Sequence, residues 1–276
     1  LQETKGKYGD DIFADYINNF IENNQDDPFF VYFPMTLTHD PKEPTPDSEE
    51  YKLFEPPSNK TLGGKNFDEL ENWDDDSKFY KDMVEYHDKI IGRIISKLED
   101  LNLREDTLII YAGDNGTTRG IVSMMGDKEV IGGKGLTSDT GTHVPLICNW
   151  PGTIPENTIK EDLIDASDFL PTMTEAAKIS LDQEYIVDGK SFFPQITGQD
   201  GNSRDWIYFY FDPNSPRVLR PVVEFVRDKK WKLYSDDKMF NILDDPDENN
   251  PISLNDSEET IKVYENLKNI LKTIKN

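Results

Sequence analysis

The chain carries a single cysteine in 276 residues, Cys148, so an internal disulfide is impossible and cysteine usage gives no sign of the redox compartment. It is also poor in cations. Thirty Lys plus Arg stand against fifty-four Asp plus Glu, a formal net charge of −24, with only three histidines. That excess repels nucleic acid and anionic membrane surfaces, so neither is expected as a partner. No apolar run approaches the roughly eighteen residues of a membrane-spanning helix, and no basic-then-apolar leader opens the chain. Apolar residues are sparse at 36%, but aromatics at 11% make up part of the deficit. The length suits one large domain, or a domain with a small appendage.

Among what is present, the run Leu108-Ile109-Ile110-Tyr111-Ala112 stands first. Its bulky and β-branched side chains predict a strand buried on both faces of a parallel or mixed sheet. The run stops at Gly113, and Asp114, Asn115 and Gly116 follow. A carboxylate and a carboxamide at the carboxyl end of such a strand stand where α/β sheets place ligands, and their oxygens suit a hard divalent cation. The same residue types also make an ordinary tight turn, and the local sequence leaves both readings open.

Two more segments carry chemistry-bearing residues. Upstream, Phe29-Phe30-Val31-Tyr32-Phe33, expected as a strand, leads into Thr36-Leu37-Thr38-His39-Asp40-Pro41; downstream, Gly132-Gly133-Lys134-Gly135 precedes Thr140-Gly141-Thr142-His143-Val144-Pro145-Leu146-Ile147. In this order the three pieces resemble the sulfatase family of the alkaline-phosphatase superfamily, with its T/S-x-x-H-x-P, S/G-D-N-G and G-x-K…E-G-G-x-R-V-P-x-I segments. The resemblance continues through Asn149-Trp150-Pro151-Gly152-Thr153-Ile154, Asp168-Phe169-Leu170-Pro171-Thr172, Asp188-Gly189-Lys190-Ser191 and the stretch from Asn241 to Glu248, similar to W-P-G-x-I, D-x-x-P-T, D-G-x-S and Y-D-L-x-x-D-P-x-E.

The resemblance implies an α/β, alkaline-phosphatase-like mixed sheet flanked by helices, with a small C-terminal subdomain of antiparallel sheet plus helix. It implies an arylsulfatase-like hydrolase of sulfuric esters at a divalent-metal site, most readily Ca²⁺, acting on a sulfate-ester small molecule or sulfated glycan. By position, Asp114 and Asn115 are the metal ligands, while His39 and Lys134 are catalytic and bind the sulfate. Histidine suits proton delivery to the leaving oxygen, and a lysine cation stabilises charge developing there. His143 occupies the family's Arg position as a third substrate-binding candidate, replacing a permanent cation by a titratable one.

The family's C/S-x-P/A-x-R motif, whose Cys or Ser becomes formylglycine, has no counterpart at Cys148, which is followed by Asn149-Trp150-Pro151. The chain is therefore read as the C-terminal part of a sulfatase-like protein, with self-association or a missing N-terminal segment expected to cover what that segment would cover. Periplasmic or secreted residence follows from the resemblance alone. Two other readings are open: a non-catalytic fragment or pseudoenzyme module, and a phosphoesterase or carboxylesterase using metal-bound hydroxide.

Periodicity fills in the rest. Helical spacing of apolar residues predicts helices over 10–24, packing on the sheet, and over 79–101, with His87 and Arg93 in structural roles. The stretch 42–76 reads as a long excursion, with Phe54 and Trp73 either aromatic platforms for a sugar or aryl ring or, as is more common for such residues, local packing. The seven glycines from Gly116 to Thr142 predict a loop over the site. Val144 to Trp150 is expected as a buried strand, and Asp162 to Ala177 as a loop and helix. Short strands over 206–211, 222–227, 231–234 and 238–243 and a helix over 261–274 complete the chain. The expected domains are 1–197 and 198–276.

Overall fold

The computed structural model describes residues 7–53, 77–182, 184–213, 221–253 and 257–274; Phe54 and Trp73 lie outside the described residues. The chain divides into two compact units at Thr107 and Leu108.

The first unit is built on two helices, α1 (Gly9–Asn23) and α2 (Phe79–Asp100). Asp10 and Asp11 sit in the first turn of α1, where carboxylates complement the helix dipole. Ala14, Leu37, Met83, Tyr86 and Ile90 form the core. Its flank is an ion-pair ladder: Arg93 to Asp15 at 2.6 Å and to Asp11, Lys97 to Glu22 at 3.1 Å, and Lys89 to Asp47 at 2.7 Å. Within this unit, and among the described residues, helix α1 thus packs on α2 and the segment beside it. Residues 29–35 form no regular secondary structure, with Phe29 against Phe20 and Phe33 against Phe13, while Phe30 and Tyr32 are 69% and 79% exposed. The expected strand over Phe29–Phe33 is corrected accordingly. Its alternation is that of a strand, but among the described residues it has no ladder partner, and a strand exists only by pairing.

The second unit begins with β1 (Ile109–Ala112), which pairs antiparallel with β4 (Leu146–Asn149), Ile110 opposite Cys148. Both strands are half-buried rather than enclosed on two faces, and Ile147 is 58% exposed. The expected doubly buried strands are corrected: β1 has one sheet neighbour among the described residues, and its pairing is antiparallel. The stretch between them is also more ordered than a loop. It contains a hairpin, β2 (Val122–Met125) with β3 (Lys128–Ile131), and the single-turn helix α3 (Asp139–Thr142). The hairpin turn is Gly126-Asp127 with Gly126 at φ 62°, a tight-turn signature that the glycine count obscured.

Helices α4 (Phe169–Ala176) and α5 (Phe193–Ile196) follow. Strands β5 (Ile207–Phe211), β6 (Val223–Arg227), β7 (Trp231–Tyr234) and β8 (Met239–Asn241) make an antiparallel meander in that order. Helix α6 (Glu258–Ile274) lays Leu267 and Leu271 onto Val226, Trp231, Leu233 and Met239. Its apolar positions at 263, 267, 270 and 271 fall on one stripe, and each such buried aliphatic side chain contributes about 1.5–3 kcal/mol.

Two of the motifs meet at Asp168, 1% exposed. Its carboxylate accepts Arg204 Nε at 2.9 and 2.8 Å, the Lys190 amide at 2.6 Å and the Asp165 amide at 2.8 Å. Thr172 Oγ1 donates to the Asp168 carbonyl and accepts the Phe192 amide, while Gly189 passes so close that a Cβ would stand 1.9 Å from the Ser167 carbonyl oxygen. These motifs build a buried joint, not a ligand site.

Candidate functional site

The carboxyl end of β1 is where the expected site residues converge in the second unit. The ladder with β4 runs one step past the strand, Gly113 N to Pro145 O at 3.1 Å, and the chain then turns at Asp114 and Asn115. Gly116 donates to Gly141 O at 3.0 Å, Lys134 N to Thr117 O at 2.9 Å, and Gly132 N to Ile121 O at 2.8 Å. Glycine is required at these crossings. A Cβ on Gly116 would lie 2.0 Å from Thr140 O, one on Gly132 2.1 Å from Thr118 O, and one on Gly141 2.2 Å from Leu136 O. Three passes of backbone are thereby locked together, and they carry Asp114 and Asn115, Lys134, and the Thr140–His143 segment.

The side chains differ in their commitments. Asp114 is exposed and Asn115 and Lys134 half-buried, and among the described residues none of the three has a side-chain hydrogen bond or ion pair. His143 is 74% exposed at its side chain, with Nδ1 3.6 Å from Asp139 Oδ2. That carboxylate raises the imidazole pKa against the opposing effect of burial. Burial also works against ionisation of Asp139, but His143 and Arg227 outweigh it and hold the carboxyl below its ordinary range.

Beneath this segment the C-terminal sheet supplies a brace that sequence patterning did not reveal. Arg227 Nη1 donates to Asp139 Oδ1 at 2.9 Å. Lys232, fully buried, donates to Glu248 Oε1 at 2.6 Å and to the Thr137 carbonyl, and lies 3.9 Å from the Phe225 ring centroid. Burial lowers the Lys232 pKa despite its carboxylate partner. Tyr234 OH donates to Glu248 Oε2 and shares a 2.9 Å hydrogen bond with Thr137 Oγ1. Glu248 closes the stretch similar to Y-D-L-x-x-D-P-x-E, so the available signal for this hub was the motif itself; its partners Lys232 and Tyr234 lie on β7.

Arg119 was missed as well. Its Nε donates to the Lys134 carbonyl at 3.1 Å, and its place five residues after Asp114 was the only hint in the sequence.

His39 belongs to the first unit, where it is exposed and its Nδ1 lies 2.8 Å from the Asp40 carbonyl oxygen. Lys42, 2% exposed, pairs with Asp40 beside it. Asp10 accepts the Thr36 amide at 3.3 Å and the Thr36 hydroxyl at 2.8 Å, fixing the start of the His39 turn. His87 holds its Nδ1 3.1 Å from Leu37 O, and burial lowers its pKa. A surface groove of about 500 Å³ in this unit is lined by Arg93, Lys97 and their neighbours. It is a notch over the ion-pair ladder and holds none of the candidate residues.

Cys148 is half-buried in β4, and burial pushes its thiol up to about 11, the opposite of an activated nucleophile. Among the described residues no group of three or more His, Cys, Asp or Glu side chains is placed to hold a metal ion. Asp114 and Asn115 offer the hard oxygens that a divalent cation takes, but only two of the roughly six to eight that Ca²⁺ needs.

Comparison with known proteins bears on the whole chain. The Sulfatase family profile matches residues 1–179, and the profile of the N-sulphoglucosamine sulphohydrolase C-terminal region matches residues 133–276. Relatives include an arylsulfatase of Hemicentrotus pulcherrimus, 27% identical over 74% of this chain and 33% of that protein, and arylsulfatase A of Homo sapiens, 28% identical over 76% and 36%. The chain thus spans about a third of the length of these curated relatives. The crystal structure of Ps i-CgsB superposes with a TM-score of 0.71 at 21% identity, over 98% of this chain and 55% of that one. BT4656 in complex with its substrate D-glucosamine-2-N,6-O-disulfate superposes at 0.65 and 18%, over 97% and 69%. The α/β fold is therefore that of sulfatases, and the chain belongs to the sulfatase family.

Proposed function

We infer that the chain provides the sulfate-binding part of a hydrolase of sulfuric esters. The observation that carries this reading is the glycine-locked crossing at the end of β1, which brings Asp114 and Asn115 into one cluster with Lys134 and the His143 segment. Within the second unit, the Lys134 ammonium meets the sulfate oxygens and offsets charge that builds on the leaving oxygen. His143 adds a second, protonation-dependent cation. In the first unit, the exposed His39 serves as the proton donor to the leaving group, a role suited to imidazole near neutrality. Asp114 and Asn115 would hold a divalent cation, Ca²⁺ by the hardness of their oxygens, and such an ion would polarise the ester. A sulfated saccharide or aryl sulfate is the substrate class. Solved relatives with saccharide ligands in their descriptions support the first, and relatives described as arylsulfatases the second.

The test pairs catalysis with binding. The purified chain is assayed for aryl sulfate hydrolysis with Ca²⁺, beside His39→Ala and Lys134→Ala, and inorganic sulfate binding is followed by NMR. Sulfate-induced shifts at Lys134 and Thr140–His143, lost in Lys134→Ala, are expected. Hydrolysis by the chain that both variants abolish would mean that a nucleophile other than formylglycine serves it, and the reading as a part lacking the nucleophile would fall. Absence of sulfate-induced shifts would overturn the anion-site reading itself. Exposed Phe30 and Tyr32 on a segment without a ladder partner among the described residues support association of this chain with a covering partner or with itself. A monodisperse monomer by light scattering at high concentration would count against self-association.

A further inference from the structure

In a chain of net charge −24, cations find carboxylates easily, and Arg93, Arg204, Arg227, Lys89, Lys97 and Lys232 all have them. Arg119 and Lys134 are among the cations that do not: among the described residues neither forms an ion pair. Two cations without counter-ions, on neighbouring passes of one locked loop cluster, are a positive spot in an acidic molecule. Arg119 is exposed, but its side chain has one anchor. Its Nε is committed to the Lys134 carbonyl at 3.1 Å, which ties the guanidinium to the backbone of the other cation and leaves its terminal nitrogens uncommitted among the described residues. The flanking backbone favours this crossing. Gly120 lies at φ 99° and Gly135 at φ 78°, both left-handed conformations that glycine adopts freely, and the nearest atom to a Cβ on Gly135 would be Arg119 Nη2 at 3.7 Å. A guanidinium held by Nε presents its outer edge as a planar fork, the geometry that takes a carboxylate or sulfate two oxygens at a time.

We propose that Arg119 is a specificity-determining residue that binds a second anionic group of the substrate, a sulfate or carboxylate neighbouring the ester held by Lys134. The site thereby prefers saccharides carrying two anions over those carrying one. This rests on the assignment of Lys134 to the sulfate.

The experiment separates the two ideas. Binding of N-acetyl-D-glucosamine-6-O-sulfate, which carries one anion and no amine, and of D-glucosamine-2-N,6-O-disulfate to the full chain is measured by calorimetry for wild type, Arg119→Gln, Arg119→Lys and Lys134→Ala. Wild type is expected to bind the disulfated sugar about tenfold more tightly, a ratio equivalent to about 1.4 kcal/mol. Arg119→Gln removes that preference and leaves the monosulfated affinity unchanged, while Arg119→Lys, which keeps the charge and loses the fork, retains part of it. Lys134→Ala weakens both sugars. If Arg119→Gln weakens both sugars equally, or neither, Arg119 only supports the Lys134 backbone and the proposal falls. If Lys134→Ala leaves the monosulfated sugar unaffected, the underlying assignment falls instead.

Discussion

Asp139 is the residue on which the electrostatics of the site loop turn, since it takes Arg227 on one oxygen and faces His143 with the other. Its pairing with His143 favours the charged imidazole. That contribution is fully present below the ordinary value of 6.5 and is lost as pH rises through the raised folded pKa. Asp139→Asn should therefore lower the His143 midpoint toward 6.5, read from imidazole NMR signals that three single-histidine variants assign; an unchanged midpoint would mean the pair does not form in solution. Half-buried His87 works in the opposite sense. Its folded pKa is lowered, so it opposes folding as pH falls below 6.5. At the buried joint, Arg204→Met would strand the Asp168 carboxylate, 1% exposed at its side chain, without its cation. Loss of one partner from such a pair costs about 3–5 kcal/mol, measurable as a drop in unfolding free energy by urea titration. A loss below about 1 kcal/mol, the scale of an exposed pair, would show that the backbone amides alone satisfy Asp168. For the metal reading, Asp114→Ala should abolish any Ca²⁺ heat seen in wild type, and tight binding that survives the change would refute the assignment.

Among the elements, the glycine-locked crossing and the C-terminal sheet make the sharpest predictions. Gly116→Ala pushes a methyl carbon to 2.0 Å from a backbone carbonyl oxygen, whereas Gly92 in mid-helix has nothing within 4 Å of that position. Gly116→Ala should displace the loop and weaken sulfate binding. Gly92→Ala should stabilise by about 0.5–1 kcal/mol, and the reverse order in a thermal melt would refute the packing described. Leu267→Ala, 1% exposed in the α6 core, should cost about 2–5 kcal/mol. Tyr234→Phe keeps the ring but removes a donor to Glu248, a loss of about 1–3 kcal/mol, with the amide signals of Thr137 to His143 shifting more than those of α6. Helices α1, α2 and α6 were legible because apolar spacing of 3.6 is a local property. The hairpin β2–β3 was not, because its strands are exposed almost throughout and so carry no apolar alternation. The run Phe29–Phe33 was overread as a strand, because alternation records burial on one side and says nothing about a hydrogen-bonding neighbour.

For the whole molecule, net charge decides the response to solvent. Ion pairs such as Lys89–Asp47 are exposed and worth little each, while a net charge of −24 repels itself over distances comparable to the Debye length. Raising salt from about 0.01 M to about 0.3 M should increase the unfolding midpoint in urea. A decrease would mean that the ladder on α2 outweighs the general repulsion.

What the sequence determined by itself was the class of chemistry and the order of the parts. A carboxylate and carboxamide after an apolar run, a lysine between glycines, and a histidine before Asp-Pro are covalent facts, and in that order they identify a sulfatase-family chain. The helices and the C-terminal meander were likewise written in local periodicity. Only tertiary structure decided which motifs serve the site and which serve the fold. Asp168 and Gly189 are joined because their segments meet in a buried corner, and Glu248 became the partner of Lys232 and Tyr234 because the meander stacks them. Arg119 gained its meaning from one hydrogen bond to the Lys134 carbonyl. Such pairings join residues separated by 15 to 97 positions, and no pattern read along the chain fixes which distant groups meet.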